Sequence, residues 1–343
     1  MNVIELNKEA WSRLAARRAA LPHALLISGQ RGIGKFDLAR SFAEALLCEQ
    51  PTPVDTACGE CQACNWLAQG NHPDFRLLQP DAMAEDESAE ADEGGKKKAS
   101  QQITIAQVRA LDDFLHVGTH RHGLRVILIH PAEAMNRATA NALLKSLEEP
   151  ISSTLFLLVT NEVDRLLPTI RSRCQAVSIP VPSSDLAAAW LRAAGVDDAE
   201  RWLPLAGGSP LLAAELASAG SRTVLDALTA QFARGPAVDV IDAVAALDKV
   251  LKGEKGAAPL KRLIEWAQKW LHDLTLAAAG LPVRYFVGER QAIERLAQRA
   301  DLEKLLAFNR KALQYKAQSE QPVNSRLFLE DFFLNYAAVF DTP

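Results

Sequence analysis

A glycine-rich segment that joins an apolar run to a helical pattern constrains the fold of this chain most. Residues 29–36 read Gly-Gln-Arg-Gly-Ile-Gly-Lys-Phe, and a short apolar run at residues 23–28 precedes them. Residues 37–47 follow, with apolar side chains at helical spacing. A buried strand, a glycine-rich turn and a helix in this order are typical of a phosphate-binding loop, whose pattern is G-x-x-x-x-G-K-[ST]. The alternative is a chance glycine turn before a helix.

The last position of the loop departs from this pattern. Gly29, Gly34 and Lys35 occupy their expected positions and Gly32 lies between them, but Phe36 stands where the pattern has serine or threonine. That hydroxyl normally ligates the Mg²⁺ that bridges the β- and γ-phosphates of a nucleotide, and a phenyl ring cannot coordinate a hard cation. ATP binding is therefore in doubt. The sequence leaves open whether a phosphate still binds this loop or Phe36 fills its place.

A second loss follows the strand predicted over residues 125–129. An active P-loop ATPase needs acidic residues at the end of such a strand, but the next two residues are His130 and Pro131. Histidine is a poor ligand for Mg²⁺, which prefers oxygen, and proline carries no side-chain base. Glu133 comes too late in the chain to be assumed a replacement. With the hydroxyl at position 36 also missing, the sequence predicts that this chain does not hydrolyse ATP.

The cysteines are concentrated in one short segment. Four of the five lie within 17 residues, at Cys48, Cys58, Cys61 and Cys64. In a chain without a secretory signal this density favours metal binding over disulfides. Four thiolates suit tetrahedral Zn²⁺, and a closed set of four protein ligands is typical of a structural site. The alternatives are reduced, unpaired thiols or a redox pair. His72 is a further candidate ligand that a fourth cysteine makes unnecessary, and we interpret Cys174 as a small, partly buried residue.

Strand and helix patterns alternate through the first half of the chain. Besides the strand at residues 23–28, short apolar strands are predicted at residues 74–78, 125–129, 155–159 and 176–179. Five such strands separated by helices indicate a parallel sheet covered on both faces. Beyond about residue 185 strand signals vanish, which predicts a helical region. Two apolar stripes mark its helices: Leu260, Leu263, Ile264, Ala267, Trp270, Leu271 and Leu274, then Leu327, Phe328, Phe332, Tyr336 and Val339.

Composition limits the remaining classes of function. The 343 residues predict two or three domains, and no apolar run approaches the length of roughly 20 residues that spans a membrane. The first residues lack the features of a secretory signal, so we expect a cytoplasmic location. The net charge of −4 provides no general basic surface for nucleic acid. Residues 81–101 carry an acidic run followed by lysines, which predicts a solvated or disordered insertion.

Together these motifs resemble the clamp-loader branch of the AAA+ ATPases, most closely its bacterial delta-prime family. The resemblance covers most of the chain, although it is loose in the helical region. Its segments are the strand into the loop at residues 23–29, the cysteine cluster followed by His-Pro-Asp at 72–74, the run Asn-Ala-Leu-Leu-Lys-Ser-Leu-Glu-Glu-Pro at 141–150, Val-Thr-Asn at 159–161, Ile-Arg-Ser-Arg-Cys at 170–174 and Asn-Ser-Arg-Leu-Phe-Leu-Glu at 324–330.

The resemblance implies roles for three further residues. Asn161 lies where the family places a polar sensor after its fourth strand. Arg173 corresponds to an arginine finger that acts in trans on ATP bound by the neighbouring subunit; the alternative is a surface arginine in a salt bridge. Leu211 stands where active members carry a second sensor arginine. This further loss implies a subunit that has no catalysis of its own.

The resemblance also implies an architecture and partners. It implies an AAA+ α/β domain over residues 1–180 with a zinc module at 48–64, a helical lid at 181–218 and a helical collar at 219–343. Such a subunit assembles with the gamma/tau and delta subunits, and through that complex it meets the beta sliding clamp and primed DNA, with no membrane contact. One alternative is an active ATPase of the same family. Another is a zinc-containing redox or DNA-binding regulator.

Overall fold

The chain forms two compact units, Met1–Pro182 and Ser183–Pro343. The structure, a computed structural model, describes residues 2–83, 100–116, 119, 123–218, 221–253, 259–319 and 321–340. Most of the predicted acidic insertion, residues 84–99, lies outside the described residues. Within the described ranges, every helix is too short or too polar to cross a lipid bilayer. The division of the second unit into a lid and a collar stays a prediction.

The first unit contains the predicted five-stranded parallel sheet, with the strand order β2-β3-β4-β1-β5. Its strands are β1 (Ala24–Ser28), β2 (Phe75–Leu78), β3 (Arg125–Ile129), β4 (Thr154–Thr160) and β5 (Gln175–Ser178). Its helices are α1 (Val3–Leu6), α2 (Lys8–Ala15), α3 (Lys35–Leu47), α4 (Gln62–Ala68), α5 (Ile105–His116), α6 (Arg137–Glu148) and α7 (Pro168–Arg171). Every residue of the central strand β4 is buried.

Helices cover both faces of this sheet. Because side chains alternate along a strand, Leu157 of β4 lies in one apolar cluster with Phe42 of α3, and Leu158 lies in a second cluster with Leu143 of α6. Nine of the ten residues of the central strands β3 and β1 are likewise buried, and Ser28 is partly buried. The three central strands therefore have the two-sided burial that their apolar sequences predicted, whereas the edge strands β2 and β5 are only partly buried.

The register of the strands brings the functional segments to one edge of the sheet. Ser28 at the end of β1 pairs in register with Thr160 of β4 and with Ser178 of β5. The glycine-rich segment follows Ser28 directly, and Asn161 follows Thr160. The carboxyl edge of a parallel sheet is where ligands of such folds bind, so the candidate residues converge there.

The described part of the second unit is entirely helical, as predicted. Its helices are α8 (Ser184–Ala193), α9 (Ala199–Leu205), α10 (Pro210–Ser218), α11 (Ser221–Phe232), α12 (Val240–Gly253), α13 (Pro259–Ala278), α14 (Arg290–Ala297), α15 (Leu302–Gln318) and α16 (Ser325–Ala338). Helix α13 contacts α11, α14 and α15, and its predicted apolar stripe is buried apart from the partly buried Leu260.

Aromatic side chains join α13 to α16 and α11. The indole Nε1 of Trp270 donates a hydrogen bond to the hydroxyl of Tyr336 at 3.2 Å, and that hydroxyl donates to the carbonyl oxygen of Phe232 at 2.7 Å. All three residues are fully buried, so this chain of hydrogen bonds satisfies their polar atoms inside the core. The second predicted stripe is buried in the same way with one exception, because Leu327 is 63% exposed.

Candidate functional site

The glycine-rich segment forms a tight turn between β1 and α3. Gly34 has a φ of +84° as the residue that precedes α3, and a Cβ added to it would lie 2.5 Å from Cγ1 of Val3 in α1. A Cβ added to Gly29 would lie 2.5 Å from the carbonyl oxygen of Ile179. Both glycines are thus required by the packing of the chain itself, and the structure brings them together with Gly32 and Lys35 as the motif predicts.

The amine of Lys35 bonds to groups of its own chain. The side chain is buried, and its Nζ donates to the carbonyl oxygen of Gln30 at 2.7 Å and to Oδ1 of Asn161 at 2.8 Å. Burial lowers the pKa of Lys35 to about 8, although the negative charge of Glu133 opposes this shift. The cation that would bind phosphate in an active loop therefore already has two acceptors.

Glu133 completes this polar network. Its Oε1 accepts from the backbone N–H of Asn161 at 3.0 Å and from Nδ2 of Asn161 at 2.9 Å. The carboxylate thereby orients the amide so that Oδ1 faces the amine of Lys35. Sequence reasoning set Glu133 aside because of its position in the chain. A 3₁₀ turn at Ala132–Ala134 brings it back to the sheet edge.

The two residues that replace the metal ligands are in contact. The rings of Phe36 and His130 are stacked, with their centroids 4.6 Å apart and their planes 25° from parallel. Burial lowers the pKa of His130 to about 4, with Glu133 raising it by a smaller amount, so the imidazole is neutral at pH 7. The positions that would jointly hold Mg²⁺ in an active enzyme are therefore filled by a neutral pair of rings.

A pocket of about 520 Å³ opens beside the loop. Glu162, Asp164 and Arg165 line it together with Ser28, Gly29 and Asn161. Two carboxylates against one guanidinium give this pocket no excess of positive charge, which a triphosphate would need.

The four clustered cysteines lie at distances that suit one metal ion. The sulfur of Cys48 lies 3.5 Å from that of Cys58 and 3.9 Å from that of Cys61, and the sulfurs of Cys58 and Cys64 are 3.9 Å apart. All four sulfur atoms lie within 4.8 Å of one another. Ligands 2.3 Å from a tetrahedral zinc ion are about 3.8 Å apart, so the four cysteines could bind such an ion after small side-chain adjustments.

Local backbone geometry holds these sulfurs together. Cys48 follows the last residue of α3, and Cys61 precedes α4. The N–H of Cys58 donates to the sulfur of Cys48 at 3.3 Å, that of Cys61 to Cys58 at 3.3 Å and that of Cys64 to Cys61 at 3.4 Å. Although desolvation raises the pKa of Cys61, hydrogen bonds from Cys64 and the neighbouring thiols outweigh it and lower that pKa to about 7. Such hydrogen bonds favour the thiolate form of Cys58 and Cys61, whereas burial raises the pKa of Cys48 and Cys64.

His72 and Cys174 lie outside this cluster. His72 is buried, and its Nδ1 accepts from the N–H of Asp74 at 3.1 Å, so it belongs to the turn around Pro73. Cys174 is half-buried, and burial raises its pKa to about 11.

Arg173 follows α7 and forms an ion pair. Its Nη2 lies 2.6 Å from Oε1 of Glu148, and its Nη1 donates to the carbonyl oxygen of Thr169 at 2.9 Å. The side chain is 33% exposed. Such a salt bridge is the alternative that the sequence raised, but it leaves a third of the side chain accessible. The sequence did not indicate Glu148 as a candidate, although it belongs to the pair Glu148-Glu149 in the family-like run at residues 141–150.

The chain matches two family models. A model described as DNA polymerase III, delta subunit, matches residues 7–183, and one described as DNA polymerase III, delta subunit, C terminal, matches residues 223–337. DNA polymerase III subunit delta' of Pseudomonas aeruginosa is 36% identical over 340 residues, which is 96% of this chain and 95% of that protein. Subunit delta' of Haemophilus influenzae is 34% identical over 201 residues, 58% of this chain and 56% of that protein. A solved gamma subunit-related protein from Thermotoga maritima has a TM-score of 0.45 at 17% identity, covering 97% of this chain and 100% of that one.

Proposed function

Because this chain belongs to the delta-prime subunit family of DNA polymerase III, we propose that it is a subunit of the clamp loader of that polymerase. The observation that carries the proposal is the 36% identity to a delta' subunit over 96% of the chain, which includes both units. In this role the chain assembles with gamma/tau and delta subunits in the cytoplasm. The complex opens the beta sliding clamp and closes it around primed DNA.

This subunit does not hydrolyse ATP in our proposal. The stack of Phe36 on His130 supports it, because two rings occupy the positions of the metal ligands. The hydrogen bonds of Lys35 to Gln30 and Asn161 support it further, because a phosphate would have to replace them. Leu211, in α10, provides no charge where active members carry a second sensor arginine. The glycines of the loop then serve the fold rather than a nucleotide.

Arg173 is the one catalytic residue that the chain contributes, and it acts on ATP bound by the adjacent gamma/tau subunit. Its position supports this role, because it lies just beyond α7 with a third of the side chain exposed. A guanidinium suits the task because it stays charged and can bind several phosphate oxygens at once.

The cysteine cluster binds one structural zinc ion in our proposal. The sulfur separations support zinc, and the full set of four thiols leaves no open position for a substrate. The ion stabilises the segment between α3 and α4, which is too small to have a core of its own.

The second unit provides the assembly surface. Exposed leucines support this: Leu302, Leu306 and Leu313 lie on one face of α15 at helical spacing, and Leu313 is 67% exposed. On α16, Leu327 and Leu334 are 63% and 59% exposed and lie two turns apart. Apolar side chains repeated on one helix face suit packing against a helix of another subunit. A lid over residues 181–218 and a collar over 219–343 remain part of this proposal.

ATP turnover by the reconstituted complex tests the role of Arg173. The wild-type chain and Arg173→Ala are each assembled with gamma/tau and delta, and turnover is measured with clamp and primed DNA present. We expect the variant to lower turnover about 10-fold or more, because fingers supplied in trans make large contributions to phosphoryl transfer. Arg171→Ala is the matched control, since Arg171 is a neighbouring arginine paired with the fully exposed Asp164.

The isolated chain provides the second half of this test. We expect it to show no Mg²⁺-dependent ATP turnover. Turnover by the isolated chain would contradict the proposal and indicate an active ATPase of the same family. Unchanged turnover in an intact Arg173→Ala complex would remove Arg173 from the mechanism while leaving membership of the clamp loader in place.

A further inference from the structure

We propose that Glu148 is the positioning residue for Arg173. The inference rests on the proposed role of Arg173 as a finger in trans and adds a second residue to it. Glu148 touches no nucleotide in this scheme. It acts through the guanidinium that it holds.

The contact joins two segments that are distant in sequence. Glu148 is the last residue of α6, and Arg173 follows α7. The distance of 2.6 Å between Oε1 of Glu148 and Nη2 of Arg173 is that of a short charge-assisted hydrogen bond. The carbonyl oxygen of Thr169 accepts from Nη1 at 2.9 Å on the other nitrogen. Two acceptors on different elements therefore fix the plane of the guanidinium.

These contacts leave donors for a phosphate. A guanidinium has five N–H groups. The acceptors of Arg173 are Glu148 at Nη2, and Thr169 and the hydroxyl of Ser172 at Nη1. Among the described residues, the Nε proton and one Nη2 proton have no acceptor. The same guanidinium can therefore keep its contact with Glu148 while it binds phosphate oxygens of a neighbouring subunit.

Only one of the two adjacent acids takes this role. Helix α6 ends at Glu148, and the backbone of Glu149 leaves the helical conformation with φ −121° and ψ 68°. Glu149 is exposed, and among the described residues its side chain makes no ion pair with Arg173. Glu148 is therefore the residue to test, and the adjacent Glu149 is its control.

The ion pair affects the rate rather than the affinity for ATP. A free arginine side chain at the surface samples many rotamers, and few of them present the guanidinium in one place. If Glu148 holds the guanidinium in place before ATP reacts, the entropy cost of ordering this side chain is no longer part of the reaction step. The ATP itself is bound by the adjacent subunit, so its apparent affinity does not depend on Glu148.

The test compares Glu148→Ala, Glu148→Gln and the control Glu149→Ala in the reconstituted complex. We expect Glu148→Ala to lower kcat about 2- to 5-fold, the range for a half-exposed ion pair, with the KM for ATP unchanged. Glu148→Gln keeps an acceptor oxygen and recovers at least half of the lost rate. Glu149→Ala matches the wild type. In the Arg173→Ala background, Glu148→Ala has no further effect, because its target is absent.

The outcomes separate this inference from the function it rests on. If Arg173→Ala lowers turnover and Glu148→Ala does not, Glu148 has no positioning role and the finger stands. If Glu148→Gln exceeds the wild-type rate, the carboxylate restrains the finger instead of presenting it, which overturns the inference. If Glu148→Ala is equally harmful with and without Arg173, its role is independent of Arg173. If Arg173→Ala itself has no effect, both the finger and its positioning residue fail together.

Discussion

At the scale of single residues, the amine of Lys35 forms hydrogen bonds within its own chain instead of being free to bind a phosphate. It donates to Gln30 and Asn161 within its own chain, and Glu133 holds Asn161 in the orientation that accepts this bond. A phosphate arriving at the loop would have to displace these acceptors and offset the cost of their lost hydrogen bonds. The residue that is most recognisable in the motif is therefore part of the core of this unit.

The buried amine predicts a dependence of stability on pH. Burial lowers the pKa of Lys35 from 10.5 to about 8 in the folded chain. Between these values the unfolded chain binds more protons than the folded one, so the contribution of Lys35 to stability rises with pH. We expect the free energy of unfolding of the wild type, relative to Lys35→Met, to rise by up to about 3 kcal/mol between pH 8 and 10.5. Urea unfolding of both chains measures the difference.

The comparison cancels every other group that titrates in this range. A difference that stays constant across these pH values would show that Lys35 keeps its ordinary pKa and would contradict the prediction. A difference that falls as pH rises would show that the charged form is the one the fold prefers.

The absence of the Mg²⁺-binding and catalytic side chains could be predicted from sequence, because a P-loop ATPase needs a hydroxyl or a carboxylate at each of these positions. Phe36, His130 and Pro131 fail that requirement wherever they lie. The contact between Phe36 and His130 could not be predicted, because it depends on how closely the start of α3 approaches the end of β3. The contact of Arg173 with Glu148 and the influence of Glu133 on Lys35 could not be predicted for the same reason. Each pair is distant in sequence and is brought together only by the fold.

At the scale of elements, the segment between α3 and α4 is the one that we propose a zinc ion stabilises. Its four sulfurs converge with N–H donors around them, while Val54 in the intervening loop is 69% exposed. Hydrogen bonds from Trp11 to Val54 and from Arg18 to Asp55 hold part of this loop, and in our proposal a zinc ion holds the rest.

Removal of the metal is the prediction that belongs to this segment. We expect one zinc ion per chain by atomic absorption and its loss in Cys58→Ser or after chelation. Loss of the ion exposes residues 48–64 to limited proteolysis, and most of the helical signal of the whole chain in far-UV circular dichroism remains. Cys174→Ser is the matched control, because Cys174 lies outside the cluster. Equal zinc content in the wild type and Cys58→Ser would contradict the site.

The strands were predictable to within one or two residues, because buried strands of parallel sheets are short apolar runs. The prediction of β3 at residues 125–129 is confirmed without a change. The ends of β4 were missed, since Thr154 and Thr160 are polar by type yet buried in the sheet. A hydroxyl inside a strand carries no sequence signal of its burial.

At the scale of the whole molecule, α15 and α16 of the second unit carry exposed leucines at helical spacing. The sequence predicted the stripe on α16 but not that Leu327 lies outside the core. Periodicity alone does not separate a face that is buried within a chain from one that is buried between chains.

An assembly defect is the prediction at this scale. Leu306 and Leu313 are 45% and 67% exposed, so replacing both by aspartate leaves the fold intact. We expect the double variant to keep its circular dichroism spectrum and to fail to co-elute with gamma/tau and delta in size-exclusion chromatography, because two carboxylates would be buried in the interface. Ile241→Asp is the control, since Ile241 is 70% exposed on α12. Normal co-elution of the double variant would place the interface elsewhere.

Gly34 shows why a residue of a nucleotide-binding motif can be retained even where no nucleotide binds. Its left-handed backbone and the methyl group of Val3 penalise any side chain at this position, whether or not a nucleotide ever binds. Natural selection can therefore preserve this glycine through folding alone, while positions whose only duty was the nucleotide are free to drift. If the chain does not hydrolyse ATP, as we propose, positions 36 and 130 have drifted in this way. The loop then keeps those parts of the motif that the fold itself needs.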